Sequence, residues 1–466
     1  MLFSSLAFLY GFLPVTLLLY FLVPKQDKNL VLLLASLFFY FWGEPRYVLL
    51  MVGVILLAYL GGLLLQRLSA PAARKTTLIV LIVLHLGVLG LFKYADFFLS
   101  SFAAVTGLAI PLLKIALPIG ISFYIFQSLS YLIDVYRGVV AAQKNPLDLA
   151  TYIAMFPQLI AGPIVRYSDI ERQLKVRTHS LERAALGLRR FVLGLAKKVL
   201  LANQLGALCA TFAASNDKSV LFYWLYAIAF TLQIYFDFSG YSDMAIGLGK
   251  LFGFDFPENF RYPYIAKSIT DFWRRWHISL GTWFRDYVYI PLGGNRVGKA
   301  RHLFNIFVVW MLTGLWHGAS WNFVIWGVFF AILLCIEKLF ARQFFEKSKV
   351  IGHVYVLLAV ILSFVIFNAS DLSDAFANIG GMFGVGTSAF ASAEVWYYLR
   401  SYGVVLAVAA VGATPLVWNL TARIRKLRVG GGVLAVLEPV ALCVLLLLCT
   451  AYLVDGSFNP FLYFRF

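Results

Sequence analysis

Run after run of this chain is apolar for long enough to cross a bilayer, which leaves few folds open to it. Such runs lie near residues 47 to 66, 76 to 92, 115 to 135, 219 to 236, 350 to 367, 401 to 422 and 432 to 454, and a crossing helix needs about 17 to 25 residues. Shorter or broken ones fall near 29 to 43, 97 to 113, 149 to 165 and 237 to 254. The stretch 1 to 24 has no basic leader and no small-residue cleavage site, so it reads as a retained span. None of these runs alternates with a period of two, and lipid offers backbone groups no partner, so the spans are helices and not barrel strands. The expected fold is an all-α polytopic membrane protein with roughly nine to twelve transmembrane or re-entrant helices. Composition agrees: of 466 residues 61% are hydrophobic and 13% charged, which no water-soluble surface of that size tolerates.

The remaining charge is lopsided, +17 at neutral pH, and it is concentrated in loops. Residues 166 to 190 carry seven Arg/Lys against three acids, and 258 to 302 carry eight against three. Arg423, Arg425, Lys426 and Arg428 crowd a further turn. Excess Lys and Arg mark cytoplasmic loops, so these are expected to face the cytoplasm. Basic loops between spans need no nucleic acid, and membrane lipids are the partner the composition implies. The four cysteines lie in apolar runs without a C-x-x-C, as buried hydrophobes and not as a disulfide framework or metal site. No repeat or linker divides the chain. We expect one membrane-embedded domain, 1–466, with polar residues concentrated at about 118–327 and lipid-facing helices at about 350–454.

Polar side chains inside membrane runs are costly and mark function. Residues 303 to 336 form an apolar stretch of 34 residues, about 51 Å as one helix against a hydrocarbon core of about 30 Å. It must break, tilt or turn back. The expected place is Thr313-Gly314-Leu315-Trp316-His317-Gly318-Ala319-Ser320, giving a hairpin or two half-helices with His317 at membrane depth beside the break. Burial in an apolar cavity would keep that imidazole neutral and able to act as a base. The competing reading is packing: Gly314 and Gly318 form a G-x-x-x-G, and an intramembrane histidine can be a hydrogen-bonded core residue.

A second concentration is Ser268-Ile-Thr-Asp-Phe-Trp-Arg-Arg-Trp-His-Ile-Ser-Leu280. Ser268 or Thr270 can cap a helix here, and its alternating aromatics and arginines suit the headgroup plane. Against a mere interfacial anchor stands His277, expected one turn after Trp273 on the same helix face, where it and His317 would line one tunnel. Residues 293 to 299, Gly-Gly-Asn-Arg-Val-Gly-Lys, approach a Walker A loop, but Ala300 stands where a hydroxyl must hold magnesium. Arg296 and Lys299 then either meet the phosphates of an acyl carrier or are simply solvated. Asp237 and Asp243 are rare intramembrane acids, about 9 Å apart along a helix. With Ser239 and Gly240 suggesting a break between them, they either couple a cation or cap the broken ends and pair with an arginine. There is no G-x-S-x-G and no H-E-x-x-H.

Four segments in order carry a resemblance: Phe156-Pro-Gln-Leu-Ile-Ala-Gly-Pro163, Asp237-Phe-Ser-Gly-Tyr-Ser-Asp243, Asp271-Phe-Trp-Arg-Arg-Trp-His277 and Trp316-His317-Gly318. Together the chain resembles the membrane-bound O-acyltransferase family, and more narrowly its bacterial alginate O-acetylase branch. The resemblance implies a ring of tilted helices around a central tunnel, with acyl donor entering from the cytoplasm and the acceptor from the other side. His317 matches the family's catalytic histidine and His277 its second signature position. Arg296 and Lys299, with Trp273, Arg274 and Arg275, become candidates for holding the donor. Trp316, Trp321, Asp237, Ser239 and Asp243 become candidates for lining the tunnel. No metal and no permanently bound cofactor is implied, only acetyl-CoA or another acyl thioester as co-substrate. The partner would be an exported polysaccharide or a periplasmic acetyl-carrying protein, at the bacterial inner membrane. The rival from another class is a glycan or lipid transporter without acyl-transfer chemistry, since broken helices and midplane polar residues suit one too. A purely structural subunit is the third.

Overall fold

The computed structural model describes residues 1–341, 348–387, 389–456 and 462. Among them every regular element is helical. Eight helices are long and apolar enough to cross a membrane: Val48–Arg67, Pro71–Thr106, Leu181–Ala214, Val220–Leu251, Trp321–Phe340, Val350–Asn368, Ala393–Gly412 and Val429–Val454. A shorter apolar helix covers Ala7–Leu22. The protein is an all-α, multi-pass membrane protein. All four cysteines are free.

Several segments differ from expectation for identifiable reasons. Residues 181 to 190 are not loop but the start of the Leu181–Ala214 helix, because its basic side chains are neutralised by acids distant in sequence: Arg183 by Asp255, Arg190 by Asp243 and Glu258, Lys198 by Asp237. The runs 219 to 236 and 237 to 254 are one 32-residue helix, Val220–Leu251. Residues 149 to 165 do not form a span. They break at Met155 between Pro146–Ala154 and a single turn, Phe156–Leu159. The run 401 to 422 breaks at Ala413 to Pro415, where proline cannot continue the Ala393–Gly412 helix.

Contacts gather the chain into two compact units, Met1–Leu188 with Ala245–Pro257, and Arg189–Met244 with Glu258–Phe466. In the first, the Ile121–Arg137 helix is buried along most of its length between Val48–Arg67 and Pro71–Leu89. Gly62 admits the Tyr131 ring, since a Cβ there would lie 2.6 Å from the phenol oxygen. The Phe156-to-Pro163 motif is buried in this unit. Phe156 sits within 5.1 to 6.4 Å of the rings of Phe3, Phe8, Phe12 and Phe39, and its backbone N–H donates to Ser36 Oγ at 3.0 Å. This part of the resemblance is a packing element.

In the second unit, Lys299–His317 and Trp321–Ile336 form a hairpin, with Val350–Asn368 packed on its second arm. The Leu181–Ala214 and Val220–Leu251 helices cross within it at two glycines, Gly194 and Gly240. A Cβ on Gly240 would stand 2.7 Å from Gly194 O. Gly240 is there for close approach, not for a break, which corrects the reading of the segment around Asp237 and Asp243.

Candidate active site

The Lys299–His317 helix stops at His317, and Gly318 continues in extended geometry with φ −164°. Gly314 and Gly327 let the arms of the hairpin touch: a Cβ on Gly314 would collide with Phe323 O, and one on Gly327 with Trp310 O. The packing role of Gly314 and the break that exposes one side of His317 to a helix end are therefore both realised. His317 is 7% exposed. Its ring lies 5.0 Å from Trp316, 5.1 Å from Trp326 and 5.3 Å from Phe367, each near-perpendicular.

The second histidine reaches the same place by a different route from the one expected. Ser268 caps the short Ile269–Trp273 helix by accepting from Asp271 N at 3.0 Å. The helix ends there, so His277 does not share a helix face with Trp273. It initiates the next helix, Ile278–Phe284, from a left-handed conformation, φ 44° and ψ 53°. Such a backbone is uncommon for a residue other than glycine, and backbone hydrogen bonds with residues 259 to 261 flank it. Arg261 N donates to Arg275 O at 2.9 Å and Ile278 N to Asn259 O at 3.0 Å. His277 is 1% exposed. Its ring lies 6.4 Å from that of His317, 5.7 Å from Trp316 and 4.7 Å from Phe238. Its Nδ1 donates to Asn259 Oδ1 at 3.2 Å. His277 falls between the Val220–Leu251 and Trp321–Phe340 spans, and burial pushes its pKa down to about 3, which keeps the imidazole neutral.

The aromatic residues around this pair are core and not a headgroup anchor. Phe272 and Trp276 are buried, and Trp273 packs 4.4 Å from Trp310, 4.9 Å from Phe330 and 5.7 Å from Trp326. Of the candidate donor-binding arginines, Arg274 is exposed and Arg275 pairs with Asp271 at 3.0 Å. Trp321, expected in a tunnel wall, is 52% exposed; the tryptophan that packs on His317 from that helix is Trp326. Arg296 is exposed on the turn that precedes the Lys299–His317 helix, and Lys299 is exposed at that helix's first residue. Asn305 braces that turn by donating to Leu292 O and Gly294 O at 3.2 and 3.1 Å. Eighteen residues of helix, about 27 Å, separate Lys299 from His317.

Asp237, Ser239 and Asp243 lie on an unbroken helix, so the two acids cap nothing. Asp237 Oδ1 sits 2.6 Å from Lys198 Nζ, both side chains buried, and its Oδ2 accepts from Leu462 N at 3.1 Å. Asp243 is held by Lys197 at 2.6 Å and Arg190 at 2.8 Å, and Arg190 also pairs with Glu258 at 2.5 Å. The pairing half of the expectation stands, with lysines as well as an arginine. Among the described residues no three His, Cys, Asp or Glu side chains converge as metal ligands would.

The family model "MBOAT, membrane-bound O-acyltransferase family" matches residues 139–372, which contain both histidines and the ring neighbours named above. The chain belongs to the membrane-bound O-acyltransferase family. It is 41% identical to the probable alginate O-acetylase AlgI of Azotobacter vinelandii, over the whole of both chains. It is 46% identical to the protein of the same name from Pseudomonas aeruginosa, over 83% of this chain and 76% of the other. It is 37% identical to the peptidoglycan O-acetyltransferase of Helicobacter pylori, over 83% and 80%. The chain is accordingly an O-acyltransferase.

Four residues that touch this acyltransferase's two histidines escaped the sequence reading: Phe238, Asn259, Trp326 and Phe367. Trp326 had a signal. Phe323, Trp326, Gly327, Phe330 and Leu334 are all buried, and they repeat at three- and four-residue intervals, which marks one packed helix face. Asn259 had none, because a lone asparagine in a loop carries no pattern.

Proposed function

We propose that this acyltransferase takes an acetyl group from a cytoplasmic thioester, acetyl-CoA, and passes it across the inner membrane for O-acetylation of an exported polysaccharide such as alginate, directly or through a periplasmic partner protein. The observation that carries the reading is the pair of buried imidazoles, ring centres 6.4 Å apart, in a chain aligned end to end with a probable alginate O-acetylase. The whole chain acts as one membrane-embedded domain in this reading, with its basic loops on the donor side.

In the transfer, His317 accepts the proton of the attacking hydroxyl as its oxygen bonds to the thioester carbonyl carbon. The tetrahedral intermediate collapses by breaking the C–S bond, and the proton on His317 passes to the leaving thiolate. A positioned base contributes about 10²- to 10⁴-fold. Trp316, Trp326 and Phe367 keep water, which would waste the thioester, off the reacting carbon. His277 orients the reacting group from the far side of the pocket. Arg296 and Lys299 meet the donor's phosphates at the basic turn.

Purified protein in lipid vesicles, supplied with radiolabelled acetyl-CoA on one side and alginate oligosaccharide on the other, tests this. Label appearing in the oligosaccharide, or on an added periplasmic carrier protein, supports the reading. Label that stays in the thioester with both acceptors present would end it.

A further inference from the structure

Asn259 is fully buried, and all its polar atoms point to one assembly. Its Oδ1 accepts from Ser279 Oγ at 2.8 Å, from Ser279 N at 3.2 Å and from His277 Nδ1 at 3.2 Å. Its Nδ2 donates to Ser242 Oγ at 3.1 Å. A backbone N–H can only donate, so the amide atom facing Ser279 N is the oxygen and the amide cannot be turned over. An amide oxygen only accepts, so the hydrogen between Asn259 and His277 must sit on Nδ1. In a neutral imidazole the other nitrogen is then a bare acceptor. That nitrogen, His277 Nε2, is buried and has no hydrogen-bond partner among the described residues. The Asn259 carbonyl meanwhile accepts from Ile278 N, so one residue holds both the left-handed backbone of His277 and its ring.

We propose that Asn259 is a positioning residue for acyl transfer: it fixes His277 in the Nδ1–H tautomer and so commits Nε2 to accept a hydrogen bond from an acceptor hydroxyl next to the one whose proton His317 takes. The proposal rests on the acyl-transfer reading above. It assigns His277 that neighbouring hydroxyl and not the thioester's carbonyl oxygen. A neutral Nδ1–H imidazole has no hydrogen on Nε2 to offer a developing oxyanion, so that charge is met by other donors.

The test is the tautomer itself, read on full-length protein in lipid with ¹⁵N-labelled histidine. The chain has six histidines, and loss of one signal in His277→Gln assigns His277. The wild-type protein should show a protonated Nδ1 and an unprotonated Nε2. Asn259→Leu should lose that fixed pattern and lower kcat on the order of 10- to 100-fold with donor KM within about twofold. Asn259→Asp, whose carboxylate accepts the same hydrogen, should keep the Nδ1–H signal and recover most of the rate. A wild-type His277 protonated on Nε2 would overturn the proposal even if Asn259→Leu fails to fold. So would a folded Asn259→Leu that transfers acetyl at the wild-type rate. Because the tautomer is read without turnover, a correct tautomer in a protein that transfers no acetyl would fault the acyl-transfer reading, and this role with it, while an Nε2–H tautomer in an active protein would fault this role alone.

Discussion

Lys198 Nζ stands 2.6 Å from Asp237 Oδ1, with 3% and 4% of the two side chains exposed. Removing one partner of a buried pair strands the other charge, at a cost of about 3–5 kcal/mol. Asp243 differs, since it is partly exposed and shares two cations. Asp237→Asn should therefore lower the thermal unfolding temperature in detergent far more than Lys197→Met, and the double variant Lys198→Met/Asp237→Leu should regain much of the loss. Equal, small effects from all three would show that this pair is not buried as described.

The crossing at Gly194 and Gly240 is backbone against backbone, so it cannot yield to a side-chain rotation. Gly240→Ala should destabilise by about 1–3 kcal/mol. Gly314→Ala should do the same in the hairpin and also disturb His317, three residues on. Gly87 has open space around its Cβ position, and Gly87→Ala should be neutral or stabilising by up to about 1 kcal/mol. Unfolding of the three variants side by side is the check, and a Gly240→Ala protein as stable as Gly87→Ala would contradict the crossing.

Burial keeps His277 neutral with its pKa at about 3, against about 6.5 when unfolded. Below pH 6.5 the unfolded state binds a proton that the folded state refuses, so stability falls as pH drops, by about 1.4 kcal/mol per pH unit until the folded pKa is reached. Above pH 6.5 this group contributes no slope. Unfolding measured from pH 7.5 to 4.5 should show a shallower acid decline in His277→Gln than in the wild type. Parallel curves would mean that His277 is solvated or charged in the folded protein.

Arg296, on the turn before the helix that ends at His317, and Lys299, that helix's first residue, are both exposed. If the turn meets the donor's phosphates, Arg296→Glu/Lys299→Glu should raise the KM for acetyl-CoA at least tenfold, leave kcat largely intact, and weaken the dependence of KM on salt. An unchanged KM would leave the turn as a solvated basic loop.

The membrane class and the break at His317 were legible because both follow from length. A 34-residue apolar stretch exceeds the bilayer, and glycines flank the only histidine in it. The start of the Leu181–Ala214 helix was not legible. Arg183, Arg189 and Arg190 look like loop charge until their acids are placed, and those acids lie 53 to 72 residues away for Arg183 and Arg190. Gly240 misled for a related reason: in sequence a glycine that breaks a helix and one that admits another helix are the same letter. His277 was found through its motif but placed on the wrong helix, because nothing local announces a left-handed histidine. What supports that conformation, Asn259, is eighteen residues upstream.

The central claim is that His317 takes the acceptor's proton during transfer. Single-turnover transfer from labelled acetyl-CoA, measured for the wild type and for folded His317→Ala at saturating donor, tests it most directly. The account predicts a loss of about 10²- to 10⁴-fold in rate with donor binding retained. Transfer by His317→Ala within a few-fold of the wild-type rate would contradict it.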